Sequence, residues 1–228
     1  MIRFFIRKYR TFRYAVTQRG KVTEVGTLLN AFNETKTIFV HIPKTAGISL
    51  LSAIYGNVSL ESHRSIFFNQ IALNIKPNDF FSFSFVRNPF DRLYSTYRFL
   101  ENGGINKQDE IAFQTHFAKF TSFEDFVMNG LNKNMIYQVT HLIPQCEYLC
   151  DWKGNISVDF IGRFESLDKD VKRLSEHLTK EIKLNHLNKI SKVDYTKVYT
   201  DEMIEKVKNI YKKDLRVFNY SFIFKTDN

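Results

Sequence analysis

Residues 37–49 read TIFVHIPKTAGIS, and the architecture is decided by how this stretch changes character along its length. Thr37 to Ile42 is a short, apolar, β-branched run of the kind that forms a strand in a buried parallel sheet. Pro43 ends the run. Lys44-Thr45-Ala46-Gly47 then makes a tight turn of small residues, and Ile48 to Tyr55 has helical character. Strand, turn and helix in that order form the first unit of the fold.

Such a turn exposes successive backbone N–H groups, and the start of the helix adds partial positive charge, so an anion is held there with little reorganisation. Lys44 places a full charge at the same point. The loop lacks the two-glycine spacing and the closing Gly-Lys-Ser/Thr of a nucleoside-triphosphate P-loop. Taken alone, a plain strand-to-helix connection reads the turn equally well.

Downstream, a helix is expected over Ser65–Ile75, closed by Pro77. Phe81, Phe83 and Phe85 alternate with Ser82 and Ser84 ahead of Val86-Arg87, which is the period of a strand. Asn88 is a favoured N-cap, Pro89 suits the first helical position and Asp91 suits the positive end of the dipole, so a helix starts here. It runs to about Asn102, where Gly103-Gly104 stops it. Residues from about Gln108 to Asn132 read as helical with their phenylalanines toward the core, Val158–Arg163 as a strand, and Glu165–Thr179 and Asp201–Val217 as amphipathic helices. Upstream, Thr17–Lys36 reads as connection with one short element. Strands separated by helices give an α/β fold with a mostly parallel central sheet flanked by helices.

The second informative stretch is Phe85-Val86-Arg87-Asn88-Pro89-Phe90-Asp91-Arg92-Leu93-Tyr94-Ser95. Arg87 closes the strand and Ser95 lies in the second turn of the helix, so a guanidinium and a hydroxyl can converge on one anion near the helix start. The planar fork of Arg suits a phosphate in a way Lys does not. Arg92 shares a helix face with Ser95; an ion pair with Asp91 or Glu101 competes there with ligand contact.

Together the two stretches resemble sulfotransferases, most closely the family-2 carbohydrate sulfotransferases. In that family a His-x-Pro-Lys-Thr-Gly/Ala-Gly-x-Ser loop binds the 5′-phosphosulfate of 3′-phosphoadenosine-5′-phosphosulfate, and a Phe-x-Arg-Asn-Pro-x-x-Arg-x-x-Ser-x-Tyr segment binds its 3′-phosphate. Here they read His41 to Ser49 and Phe85 to Tyr97. The resemblance continues in residues 141–145, 161–167, 186–188 and 211–214. It implies a P-loop-like three-layer fold. It also implies that Lys44 and the backbone of Thr45, Ala46, Gly47, Ile48 and Ser49 hold the 5′-phosphosulfate while Arg87 and Ser95 hold the 3′-phosphate, and it calls for no metal. Position 48 is Ile where the family often has Thr. The acceptor it implies is a hydroxyl of a carbohydrate or glycolipid.

Transfer to a hydroxyl needs stabilisation of charge on the leaving oxygen, a role for Lys44, and a base for the acceptor proton. His63 matches the family's His between the two donor segments, as Ser62-His63-Arg64. His41 reads as packed structure, and Glu61 and Glu165 are the fallback bases, Glu165 being read as structural.

The remaining features bound these readings. The chain has 228 residues, 43% of them hydrophobic, including 23 Phe and 11 Tyr, and a formal net charge of +9. That is enough for one good core, read as a domain over 37–228 preceded by a basic arm and connection over 1–36. The positive field draws anions without choosing among them. The arm interleaves Arg3, Arg7, Lys8, Arg10, Arg13 and Arg19 with aromatic residues; as a helix it could lie on a membrane surface, and as a solvated arm it would pack its rings on the domain. No run of about 18 apolar residues and no signal-like segment is visible, which makes cytoplasm the default compartment, with membrane association through the arm. Cys146 and Cys150, four apart, could bridge in an oxidising compartment but read better as free thiols. Two rival functions stand against the resemblance: a P-loop-type nucleotide kinase, opposed by the incomplete phosphate-loop pattern, and a non-catalytic binder of acidic glycan or nucleic acid. The two-part donor pattern has no purpose in a pure binder, so no nucleic-acid partner is expected.

Overall fold

In a computed structural model of the chain, the described residues are 2–59, 63–184 and 194–222. In chain order the helices and strands are α1 (Ile2–Thr17), α2 (Leu28–Thr35), β1 (Thr37–Val40), α3 (Gly47–Tyr55), α4 (Ile66–Leu73), β2 (Phe81–Val86), α5 (Pro89–Glu101), α6 (Lys107–His116), α7 (Phe123–Asp125), α8 (Gln145–Leu149), β3 (Phe160–Arg163), α9 (Leu167–Leu178), α10 (Asp201–Ile210) and α11 (Lys212–Val217). They fall into two compact units, Met1–Val86 with Gln145–Leu187, and Arg87–Pro144 with Asn188–Asn228.

The first unit holds the sheet. Its strands lie in the order β1-β2-β3, all parallel, with Phe39 opposite Phe83 and Phe85 opposite Gly162. The Phe39 and Phe83 rings stack at 5.2 Å, the cross-strand contact on which sheets depend. Helices α2 and α4 pack on β1, and α9 on β3, which makes the chain an α/β protein with a parallel sheet flanked by helices.

The Phe/Ser alternation of β2 suggests one wet face, yet Ser82 and Ser84 are buried along with Phe83 and Phe85. Both serines are satisfied: Ser84 Oγ donates to the Val40 carbonyl at 2.7 Å, and Ser82 Oγ donates to Asp159 Oδ2 at 2.7 Å. A central parallel strand is covered on both faces, and a small hydroxyl that carries its own hydrogen bond is tolerated there. At Gly162 an added Cβ would run into the Phe85 ring, so the strand opposite this phenylalanine needs a residue without a side chain.

The second unit is a helical cluster around α5. Phe90, Leu93 and Tyr97 from α5 meet Phe117, Phe126 and Met203 in one core, where the Phe117 and Phe126 rings approach to 4.6 Å. The single helix expected over 108–132 is broken. Helix α6 ends at His116, Ser122 caps a new start by accepting from the Asp125 N–H at 3.0 Å, and α7 continues as a wide π-type turn over Phe126–Gly130. The expected 201–217 helix likewise divides at Tyr211. Its phenol is turned inward to the Leu142 carbonyl at 2.8 Å.

The segment read as connection, 17–36, contains a 3-10 turn and helix α2, whose Thr27 cap accepts from Asn30 N. None of the described helices is long and apolar enough to cross a membrane. Cys146 and Cys150 are buried and not joined by a disulfide.

Candidate functional site

Strand β1 ends at Val40, and the next residues leave the sheet although Ile42 is apolar and wholly buried. Pro43 offers no N–H to extend the ladder, and the loop turns on two left-handed residues, Lys44 at φ 69° and Ala46 at φ 64°. Neither is glycine, so each such conformation costs about 1–2 kcal/mol. Thr45, fully buried between them, donates from Oγ1 to the Ile42 carbonyl at 2.9 Å and closes the turn.

Helix α3 starts at Gly47 with Ala46 in the N-cap position, where there is no side chain to cap it. By contrast α2, α4, α5, α6 and α10 begin with Thr27, Ser65, Asn88, Asn106 and Thr200, each of which accepts a first-turn N–H through its side chain. The first-turn donors of α3 are therefore left to something other than a capping side chain. With the dipole of a nine-residue helix behind them and half-buried Lys44 before them, they fit a phosphate or sulfate.

Gly47 is fixed by its surroundings, since an added Cβ would overlap the His41 ring. That ring is stacked on Phe39 at 6.0 Å and met edge-on by His63 at 4.2 Å. His63 Nδ1 lies 3.0 Å from the His41 carbonyl oxygen. A carbonyl only accepts, so Nδ1 carries a proton, and in the neutral ring that places the lone pair on Nε2, the tautomer a general base needs. His41 is packed structure, as the sequence reading has it, and is also the residue that orients His63. The structure thus places His63 against His41, at the start of the β1–α3 loop that carries Lys44, Thr45, Ala46, Gly47, Ile48 and Ser49. Glu61 lies outside the described residues, as do Ser62 and residues 186–188, and Glu165 is exposed in the turn after β3.

In the second unit, Arg87 and Ser95 meet as expected: Arg87 Nη1 donates to Ser95 Oγ at 3.1 Å. The fork edge that the sequence reading assigns to a phosphate is held by Asp91. Arg87 Nε and Nη2 donate to its two carboxylate oxygens, both at 2.8 Å. The four-residue spacing between Arg87 and Asp91 is the visible signal for that pair. Asp91 locks the guanidinium in place beside the Ser95 hydroxyl.

Among the described residues Arg92 is paired to no acid. It is buried, donating from Nη1 to the His141 carbonyl at 3.0 Å and from Nη2 to the Ile143 carbonyl at 2.8 Å. With Tyr211 on Leu142, three successive carbonyls are held, which accounts for the 141–143 part of the His-Leu-Ile-Pro-Gln segment as structural. Carbonyl partners about fifty positions away leave no mark in the residue pattern around Arg92. A similar lock closes β3: Asp170 accepts the Arg163 N–H at 2.9 Å and the Ser166 hydroxyl at 2.7 Å, and pairs with Arg173 at 3.0 Å. Burial raises the Asp170 pKa, but these donors outweigh it and hold the carboxyl below its ordinary value.

Among the described residues no group of three or more His, Cys, Asp or Glu is arranged to hold a metal ion. A model of the sulfotransferase family matches residues 30–221, a span that contains the β1–α3 loop, the start of α5 and His63. No curated protein and no solved structure matches the chain.

Proposed function

The chain belongs to the sulfotransferase family, and from that premise we propose that it transfers a sulfuryl group from 3′-phosphoadenosine-5′-phosphosulfate to a hydroxyl of a carbohydrate acceptor. The observation that carries the reading is the β1–α3 loop. Two left-handed residues and a helix start without a capping side chain suit its N–H groups to an anion, with Lys44 beside them and, at its root, a histidine whose Nδ1 is held by a backbone carbonyl.

In this reading Lys44 and the N–H groups from Thr45 to Ser49 hold the 5′-phosphosulfate, and Arg87 with Ser95 holds the 3′-phosphate. The donor supplies an activated sulfuryl group: the acceptor oxygen bonds to sulfur as the bond to the bridging oxygen breaks, and 3′,5′-bisphosphoadenosine departs. The Lys44 ammonium stabilises the charge that grows on that bridging oxygen, an interaction stronger in the transition state than before it. His63 Nε2 takes the acceptor proton, and the His41 carbonyl, already bound to Nδ1–H, steadies the imidazolium that forms. The net charge of +9 favours acidic glycans among carbohydrate acceptors.

Incubation with sulfur-labelled donor and a panel of neutral and acidic glycans tests the proposal. Label in the glycan fraction, absent with Lys44→Ala, is the expected result; label confined to donor and inorganic sulfate with every hydroxyl acceptor would overturn it.

A further inference from the structure

Helix α1 has two faces with different uses. One packs on α4: Ala15 is wholly buried, Lys8 Nζ donates to the Cys150 carbonyl at 3.1 Å, and Arg7 pairs with Glu147 at 2.7 Å. The other face carries Phe5, Tyr9, Phe12 and Val16, with exposures of 56%, 63%, 42% and 38%. Their spacing of four, three and four residues aligns them in one stripe along the helix. Ile6, also exposed, lies beside it. A stripe at this spacing is what a helix normally buries, yet here the buried face is the one with Lys8, Thr11 and Ala15.

Exposed Arg13 and Arg10 lie along one side of the stripe, and residues 2–17 contain no Asp or Glu. A second copy of this helix would set cation against cation, which opposes self-pairing. A bilayer with anionic lipid offers a place for the rings and a negative surface for the guanidinium groups, and Tyr9, with a polar tip on an aromatic body, suits the headgroup level. Sixteen residues with this charge do not span a bilayer, which takes about 20 apolar ones.

We propose that the Phe5/Tyr9/Phe12/Val16 face of α1, with Arg10 and Arg13, docks the protein on the surface of an anionic membrane, the helix lying in the interface plane. The inference does not depend on the donor reading, and its test uses no nucleotide.

Full-length protein is sedimented with vesicles of phosphatidylcholine alone and of an equal mixture of phosphatidylcholine and phosphatidylglycerol. The protein is expected in the pellet with the mixed vesicles only, and to be released by high salt. Tyr9→Ser/Phe12→Ser should abolish the binding, and Arg10→Glu/Arg13→Glu should weaken it by roughly tenfold or more, both with unaltered thermal unfolding because the positions are exposed. Failure to sediment with anionic vesicles overturns the proposal, as does undiminished binding by either variant. Concentration-dependent self-association that Tyr9→Ser/Phe12→Ser dissociates would assign the face to a second copy and overturn it equally.

Discussion

Helices α3 and α5 each follow a strand, and their starts are built on opposite plans. At α3 the cap position is Ala46, the preceding turn holds two strained residues, and no side chain caps the first-turn donors. At α5 the cap is Asn88, whose Oδ1 accepts from Phe90 N at 3.1 Å, followed by Pro89; the backbone there is closed and side chains, Arg87 and Ser95, present the polar atoms. An anion site made of main chain is fixed by the fold and is altered only through steric changes. One made of side chains can be edited by a single substitution.

The largest expected effect comes from the residue that the backbone-built side orients. His63→Ala should lower turnover by roughly 10²–10⁴-fold with donor affinity nearly unchanged; a comparable fall in donor affinity would make it a binding residue instead. The side-chain-built site is broken next. Arg87→Lys keeps the charge and loses both the fork to Asp91 and the reach to Ser95, so binding of 3′,5′-bisphosphoadenosine should weaken by about ten- to a hundredfold, the worth of a charged hydrogen bond. Equal affinity in titration calorimetry would remove Arg87 from the site.

Gly47→Ala probes the backbone plan by shape alone. The new Cβ must displace the His41 ring, which should cost about 1–3 kcal/mol of stability and raise the donor KM. Gly20→Ala, where a Cβ meets nothing within 4 Å, is the control, expected to be near neutral in denaturant unfolding.

The smallest effect sharpens the comparison by touching a purely structural turn. Asp170→Asn should cost on the order of 1 kcal/mol at neutral pH and leave donor affinity unchanged. Because the folded carboxyl is held below its ordinary value of 3.8, the contribution is present above that value and is lost as pH falls through the lowered folded one. Acid unfolding of the wild type and the variant should therefore converge at low pH.

The parts of the fold that sequence made legible are those whose causes are local. The strand at 81–86 and the helix begun by Asn88-Pro89 stand where alternation and capping chemistry put them. Strand β1 is shorter than its apolar run because Ile42 plugs the loop, and an apolar residue looks alike in a strand and in a buried turn. Strand β3 starts after Asp159, whose side chain binds Ser82 N and Oγ. The breaks near Ser122 and Tyr211 and the Arg92 clamp depend on partners distant in the chain, so residue pattern alone could not reveal them. Within the candidate site, the loop and its residues were legible, whereas the Asp91 lock on Arg87 was hinted only by spacing and the His41 carbonyl behind His63 not at all.

The central proposal is that the protein takes a 3′-phosphorylated adenosine nucleotide as its donor. Thermal unfolding with 3′,5′-bisphosphoadenosine or ATP tests it most directly. The account predicts protection by the bisphosphate, about 2.7 kcal/mol at a hundredfold excess over Kd, lost in Lys44→Ala and in Arg87→Ala, with none from ATP. Protection by ATP instead, or protection indifferent to both substitutions, would contradict it.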